Sequence, residues 1–332
     1  MKINNNLFKS EPDYTVSSER HVETAKELES FERKMGSLSI NKKTYKLVRL
    51  LSKLFGRLLS PKPDLSGVSI RNEKYISRNR NDNVMNGALI VQPNQKRMSG
   101  ALFLIHGGGY VVGNYKDNLG YACDTARDLG IPVISPGYSL GPEKPFPIGL
   151  DDLHSAWYWL QREAPSMDID PKKIIIGGIS AGGGMAAALV QRLFDEDAYK
   201  PSAQLLIYPM LDDRVAANRK LDSVSHKVWN NESNLFGWKS YLGKEPGGPV
   251  QPYSVPGRRE NLKGLPPTWI GVGTADLFLD EDREYAKKLK ESNVDVTYIE
   301  VAGAIHAFDR AETQMGIDFI KLQKDFIKLH AS

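Results

Sequence analysis

Between Lys172 and Met185 the chain runs Lys-Lys-Ile-Ile-Ile-Gly-Gly-Ile-Ser-Ala-Gly-Gly-Gly-Met. A short β-branched run stops at glycines set around one serine, and the helix-forming stretch Met185-Ala186-Ala187-Ala188-Leu189 follows. Gly178-Ile179-Ser180-Ala181-Gly182 fits the pattern G-x-S-x-G, in which a buried strand turns so sharply into a helix that the serine takes strained backbone angles. Side chains larger than glycine at the two flanking positions clash across such a turn. The turn would set a hydroxyl at a helix N-terminus, where N–H groups can meet negative charge. The pentapeptide alone does not separate this reading from a plain strand-to-helix turn, so the rest of the chain must decide.

From Gly87 onward apolar runs alternate with helical patterns. Strands are expected at 88–91, 101–105, 132–135, 174–177, 204–208, 268–272 and 296–301. Most are nearly continuous Val, Ile and Leu, which suits strands covered on both faces of a largely parallel sheet. Helices are expected near 118–129, 150–162, 181–194, 281–291 and 313–329. Alternating strands and helices define an α/β class with a doubly wound sheet. At 332 residues the chain can hold such a sheet with insertions as one unit.

Two segments break the alternation. One is 1–61, where Leu47, Leu50, Leu51, Leu54, Phe55 and Leu58 recur at helical spacing along Lys46 to Leu59. That basic amphipathic run is expected to pack within the molecule rather than on a membrane. The other is 212–264, which holds Trp229, Phe236, Trp238 and Tyr241 among glycines and prolines. Aromatic residues in excess of what the sheet needs point to a lid over the strand ends, where open α/β sheets place their sites. No apolar stretch approaches the roughly 20 residues of a membrane span, and the polar N-terminus lacks the apolar core of a secretory signal. A cytoplasmic protein without stable membrane insertion is expected. The single Cys123 excludes an intrachain disulfide and a thiolate metal cluster. With 44 basic and 40 acidic residues spread along the chain, no block argues for nucleic acid.

His106-Gly107-Gly108-Gly109-Tyr110 follows the strand at 101–105. Three glycines in a row cost backbone entropy, yet they let N–H groups approach a substrate oxygen. Gly107, Gly108 and Gly109 are therefore read as an oxyanion loop, facing the N–H of Ala181 after the serine. A serine hydroxyl needs a base. Of the six histidines, His306 in Gly303-Ala304-Ile305-His306-Ala307-Phe308 leaves the last strand, where the third member of a Ser-Asp-His order belongs. The orienting carboxylate is assigned to Asp276, just beyond the strand at 268–272. Asp280 is read as the N-cap of the next helix and as the fallback acid. Gly182-Gly183-Gly184-Met185-Ala186-Ala187 formally satisfies a dinucleotide fingerprint, but no acid stands at a strand end about 20 positions on. Neither a P-loop nor H-E-x-x-H is present, so no cofactor and no metal are expected.

Together these residues resemble the hormone-sensitive-lipase-like, bacterial family IV, branch of the α/β-hydrolases. Pro142-Glu143-Lys144-Pro145-Phe146-Pro147, Tyr208-Pro209-Met210-Leu211-Asp212-Asp213-Arg214 and Asp276-Leu277-Phe278-Leu279-Asp280-Glu281 look like family segments. The resemblance implies an α/β-hydrolase fold of about eight strands with a catalytic domain at 62–211 and 265–332. It also implies a helical cap from 1–61 and an insertion at 212–264. It makes Ser180, Asp276 and His306 the triad, with Gly108, Gly109 and Ala181 as oxyanion donors and Gly107 shaping their loop. The implied activity is hydrolysis of short to medium acyl esters; homodimers occur in the family, but no residue here demands one. Amide or lactone hydrolysis would use the same groups. A non-catalytic receptor, like the plant gibberellin receptors, would lack the histidine. Gly137-Tyr138-Ser139-Leu140-Gly141-Pro142-Glu143 stands where the family usually reads Asp-Tyr-Arg-Leu-Ala-Pro-Glu, which predicts a looser or differently supported wall near Tyr138. Ile179 replaces a frequent Asp, so the elbow is expected to be held by packing.

Overall fold

The computed structural model of the chain describes residues 8–9, 23–35, 39–51, 62–77, 85–197 and 199–332. Its strands are β1 (Phe8–Lys9), β2 (Val68–Ile76), β3 (Met85–Pro93), β4 (Ala101–Ile105), β5 (Val133–Pro136), β6 (Ile174–Ile179), β7 (Gln204–Ile207), β8 (Thr268–Gly273) and β9 (Val296–Val301). Among the described residues they form one sheet in the order β1-β9-β8-β7-β6-β4-β5-β3-β2. β4 to β9 run parallel; β3 pairs antiparallel with both β5 and the edge strand β2, and the two-residue β1 pairs antiparallel with β9 at the other edge. Every residue of β4 and β8 is buried, as near-continuous apolar strands require when both faces are covered. β2 was not expected from the sequence. Its charged, partly exposed residues, with burial confined mainly to Tyr75, suit an outer strand rather than a central one.

The helices are α1 (Glu29–Met35), α2 (residues 45–51), α3 (Leu119–Leu129), α4 (Ile148–Glu163), α5 (Ala181–Asp195), α6 (Asp213–Ala217), α7 (Asn231–Leu242), α8 (Leu279–Glu291) and α9 (Gln314–Ala331). α3 packs with α9 over one face of the sheet; α4 packs with α5 over the other. β4 leads to β5 on one side, whereas β6 lies on its other side, so the strand order reverses between β4 and β6. A crevice opens outside the carboxyl ends of two strands at such a reversal. Ile105 pairs with Gly178 there, which sets the glycine loop after β4 beside the serine turn after β6.

In α2 the leucines do not form the packed face. Tyr45 is buried against Phe236 at 5.4 Å between ring centroids, while Leu47, Leu50 and Leu51 are exposed. Residues 52–59 of the expected amphipathic run, and His21, lie outside the described residues. Among the described residues no helix is long and apolar enough to cross a membrane. Cys123 is buried in α3.

The wall near Tyr138 is differently supported, not looser. Tyr75 Oη donates to Gly137 O, and Tyr138 Oη donates to His106 O at 2.9 Å with its ring stacked on the imidazole at 4.4 Å. The Tyr115 ring fills the space beside Gly137, where a Cβ would stand 2.9 Å from Tyr115 Cδ1 and 3.1 Å from Gly87 O. Restoring the family residue by Gly137→Asp is therefore expected to destabilise the fold by about 1–3 kcal/mol through overpacking. Thermal melting checks this, and a raised Tm would contradict it.

Candidate active site

Ser180 sits between β6 and α5 with φ 56 and ψ −121, a conformation that L-residues seldom adopt. The neighbouring glycines are a steric necessity. A Cβ on Gly178 would lie 2.0 Å from Gly182 O, and one on Gly182 would lie 2.3 Å from Ile105 O. Because both obstacles are backbone, neither can move aside. Half-buried Ile179 packs against the core at the position where the resemblance predicted packing in place of charge.

The turn delivers the Ser180 hydroxyl to an imidazole. His306 Nε2 lies 3.0 Å from Ser180 Oγ, and His306 Nδ1 lies 2.7 Å from Asp276 Oδ2. An ionised carboxylate only accepts, so the proton on this ring belongs at Nδ1 and Nε2 is left to accept from the hydroxyl. The other oxygen, Asp276 Oδ1, accepts from Phe278 N at 3.0 Å and so fixes the carboxylate plane. Tyr208 and Phe278 meet the imidazole edge-on at 4.8 and 5.2 Å. Ser180, His306 and Asp276 are only 6%, 5% and 2% exposed. Little water dilutes the electrostatics of this chain of groups.

Asp280 does not cap α8. Phe278 is the N-cap residue, and Asp280 lies in the first turn with its carboxylate 3.8 Å from Arg283. The two following acids are buried rather than solvated. Glu281 accepts from Leu211 N at 2.6 Å and from Asp212 N at 3.3 Å. Asp282 is 0% exposed, and neither of its oxygens has a hydrogen-bond partner among the described residues. Burial first, then the Glu281 and Asp276 carboxylates, push its pKa well above the usual carboxylate range. Such a group keeps its proton when folded and loses it when unfolded. Its contribution to stability is full below the unfolded pKa of about 4 and is lost as pH rises. Asp282→Asn cannot ionise, so its Tm is expected to fall less between about pH 5 and pH 9 than that of the wild type. Equal slopes would refute this.

The glycine loop lies against the serine: a Cβ on Gly107 would come within 3.3 Å of Ser180 Cβ. Gly108 and Gly109 have φ 116 and 56, and Val111 N and Val112 N close the turn onto Gly108 O at 3.0 and 2.9 Å. Ala181 is the first residue of α5, so its N–H has no acceptor within the helix. His106 Nδ1 lies 2.8 Å from Gly107 O, and burial lowers its pKa, which favours the neutral ring. The Trp229 indole covers the loop, with Cη2 2.0 Å from where a Gly109 Cβ would be. Trp238 and Tyr241 of α7 pack on the Tyr110 ring at 5.1 and 4.2 Å. Sequence patterns did not single out Trp229, Tyr208 or Phe278 for contact with these groups, because each is brought in by tertiary packing. Of the other described histidines, His154 pairs with Glu196 at 2.7 Å. His226 lines a polar cavity of about 450 Å³ with Arg219, Asp222 and Lys227, to which none of Ser180, Asp276 and His306 contributes.

A mostly parallel sheet with a serine, a histidine and an acid leaving its strand ends is the build of an α/β hydrolase. The chain belongs to the alpha/beta hydrolase fold family, which it matches over residues 102–310, in the hormone-sensitive-lipase-like branch. It is similar to an ethyl acetate hydrolase of Pseudomonas putida, 30% identical across 63% of this chain and 66% of that one. A carboxylic ester hydrolase of Mycobacterium tuberculosis, LipN, is also 30% identical, across 62% of this chain and 56% of that one. The chain thus spans between 56% and 66% of the length of these two curated relatives. Among solved structures, a bacterial heroin esterase superposes with a TM-score of 0.85 at 28% identity, covering 93% of this chain and 98% of that one.

Proposed function

We infer that the chain is a serine carboxylic-ester hydrolase for short to medium acyl chains. The observation that carries this reading is the unbroken hydrogen-bonded chain from Ser180 Oγ through His306 to Asp276. In the first half-reaction Ser180 Oγ attacks the ester carbonyl carbon while His306 Nε2 takes the hydroxyl proton. Asp276 holds the ring and stabilises its positive charge. The tetrahedral oxyanion is received by the N–H groups of Gly108, Gly109 and Ala181, with Gly107 shaping the loop. Collapse breaks the ester C–O bond, and His306 returns the proton to the departing alcohol, leaving an acyl-serine. Water, deprotonated by His306, then releases the acid and restores the serine.

Residues 1–61 and 212–264 serve in this reading as a cap that limits acyl length. Trp229 over Gly109 supports it, because a fixed indole beside the loop leaves narrow room for a chain. No cofactor is called for, and the partner is a small-molecule ester. A cytoplasmic setting fits the lone buried Cys123. Amide or lactone hydrolysis would use the same groups. A mute ligand receptor is disfavoured by His306 standing within hydrogen-bond reach of Ser180.

Stopped-flow mixing with a chromogenic short-chain ester is expected to give a burst of about one equivalent of alcohol product, followed by slower turnover. An acyl series from acetate to dodecanoate should show kcat/KM falling beyond the medium lengths. Equally slow release by wild type and Ser180→Ala would overturn the assignment.

A further inference from the structure

Arg49 reaches from α2 into the loops that frame the glycine turn. Its Nε donates to Val111 O at 2.5 Å, and one terminal nitrogen donates to Gly141 O at 2.5 Å. The other lies 2.9 Å from Glu143 Oε2. One turn earlier, Tyr45 sets its ring 5.1 Å from the guanidinium carbon and donates its hydroxyl to Glu143 Oε1 at 3.2 Å. Both carbonyls belong to the frame of the glycine loop: Val111 N donates to Gly108 O at 3.0 Å, and Gly141 N donates to Tyr110 O at 3.0 Å. One planar fork therefore joins the turn that closes Gly107, Gly108 and Gly109 to the segment after β5. It does so from an element far away in sequence. A guanidinium suits this task because its donors are rigidly spaced and always charged, whereas a lysine would grip as a single point.

The seat of α2 is itself tied to the insertion. Ile40 N donates to Ser233 Oγ at 2.9 Å, and Asn41 Nδ2 donates to Glu232 Oε1 at 3.0 Å. A run of glycines has weak intrinsic preferences, so the directions of its N–H groups are set by whatever anchors its ends. We propose that Arg49 is a positioning residue that holds the glycine-loop N–H groups in their oxygen-binding geometry. It makes that geometry depend on residues 39–51 being seated over the site. The inference rests on the ester-hydrolase reading and goes beyond it: the N-terminal segment completes the active site instead of only covering it.

Arg49→Gln is expected to lose about 10- to 100-fold in kcat on a short chromogenic ester, with KM within about threefold of wild type. Affinity for an alkyl trifluoromethyl ketone, which forms a tetrahedral adduct on the serine, should fall in proportion to kcat/KM. Arg49→Lys should recover only part of the loss. Amide hydrogen exchange provides a readout independent of activity: protection across residues 106–112 should drop in Arg49→Gln while β6 and β8 keep theirs. Wild-type kcat together with unchanged exchange would overturn the proposal, as would loss of protection spread across the whole sheet. If the wild type hydrolysed no ester, the activity reading would fall, and exchange at 106–112 would still decide the role of Arg49.

Discussion

Ser180→Ala is expected to lower kcat by about ten-thousandfold to a millionfold and to abolish the burst, while Tm stays within a few degrees of wild type. The size follows from what is lost: no other nucleophile can form the acyl intermediate, and the residual rate is that of water in a site which still binds the oxyanion. The small thermal effect follows from the backbone. Ser180 holds φ 56 and ψ −121, and alanine keeps the same Cβ, so the strain of the turn is unchanged. His306 Nε2 loses one partner in a nearly buried position, which costs about 1 kcal/mol unless a water replaces it. Steady-state kinetics, burst amplitude and melting of the same preparation check all three parts. A variant within tenfold of wild-type kcat would refute the nucleophile assignment.

Asp276→Asn should cost about ten-thousandfold in kcat at neutral pH, about 5.4 kcal/mol of transition-state stabilisation. The argument is one of hydrogen-bond direction. Asp276 accepts at both oxygens, from His306 Nδ1 at 2.7 Å and from Phe278 N at 3.0 Å. Phe278 N is a fixed donor, so an asparagine would turn its amide oxygen there and present NH₂ to the imidazole. Nδ1 must then accept, the ring proton moves to Nε2, and the base facing Ser180 is blocked. Asp280→Asn is the control. Its carboxylate pairs with Arg283 rather than with the imidazole, so kcat should change by less than about threefold. If Asp280→Asn caused the larger loss, the assignment of the orienting acid would be reversed.

These two residues mark how far the sequence carries. β4 lies at the residues expected, Ala101–Ile105, because a strand buried on both faces leaves an unbroken apolar run; β9 also lies where expected, Val296–Val301, although Thr297 is exposed and Glu300 interrupts its apolar residues. β2 leaves no such run. Its register against β3 is what makes it visible, and pairing is not a local property. The order of serine, acid and histidine could be read along the chain, but the choice between Asp276 and Asp280 rested on a capping argument. The structure places Phe278 at the N-cap and gives Asp276 both a histidine and a backbone donor. Glu281 and Asp282 stand in the first turn of α8, and packing of that helix against β8 and β9 buries both, which is a matter of tertiary contact and not of local sequence.

By itself the sequence determined the serine turn and the glycine loop. Each carries a steric demand set within a few residues, whatever surrounds it: a Cβ on Gly178 would lie 2.0 Å from Gly182 O, and one on Gly108 would lie 2.1 Å from Val112 O. Only the tertiary structure decided what holds and covers the loop. Arg49, Trp229 and Gly141 are distant in sequence, and each acts through backbone or ring atoms of the others' neighbourhoods, which neither periodicity nor composition encodes.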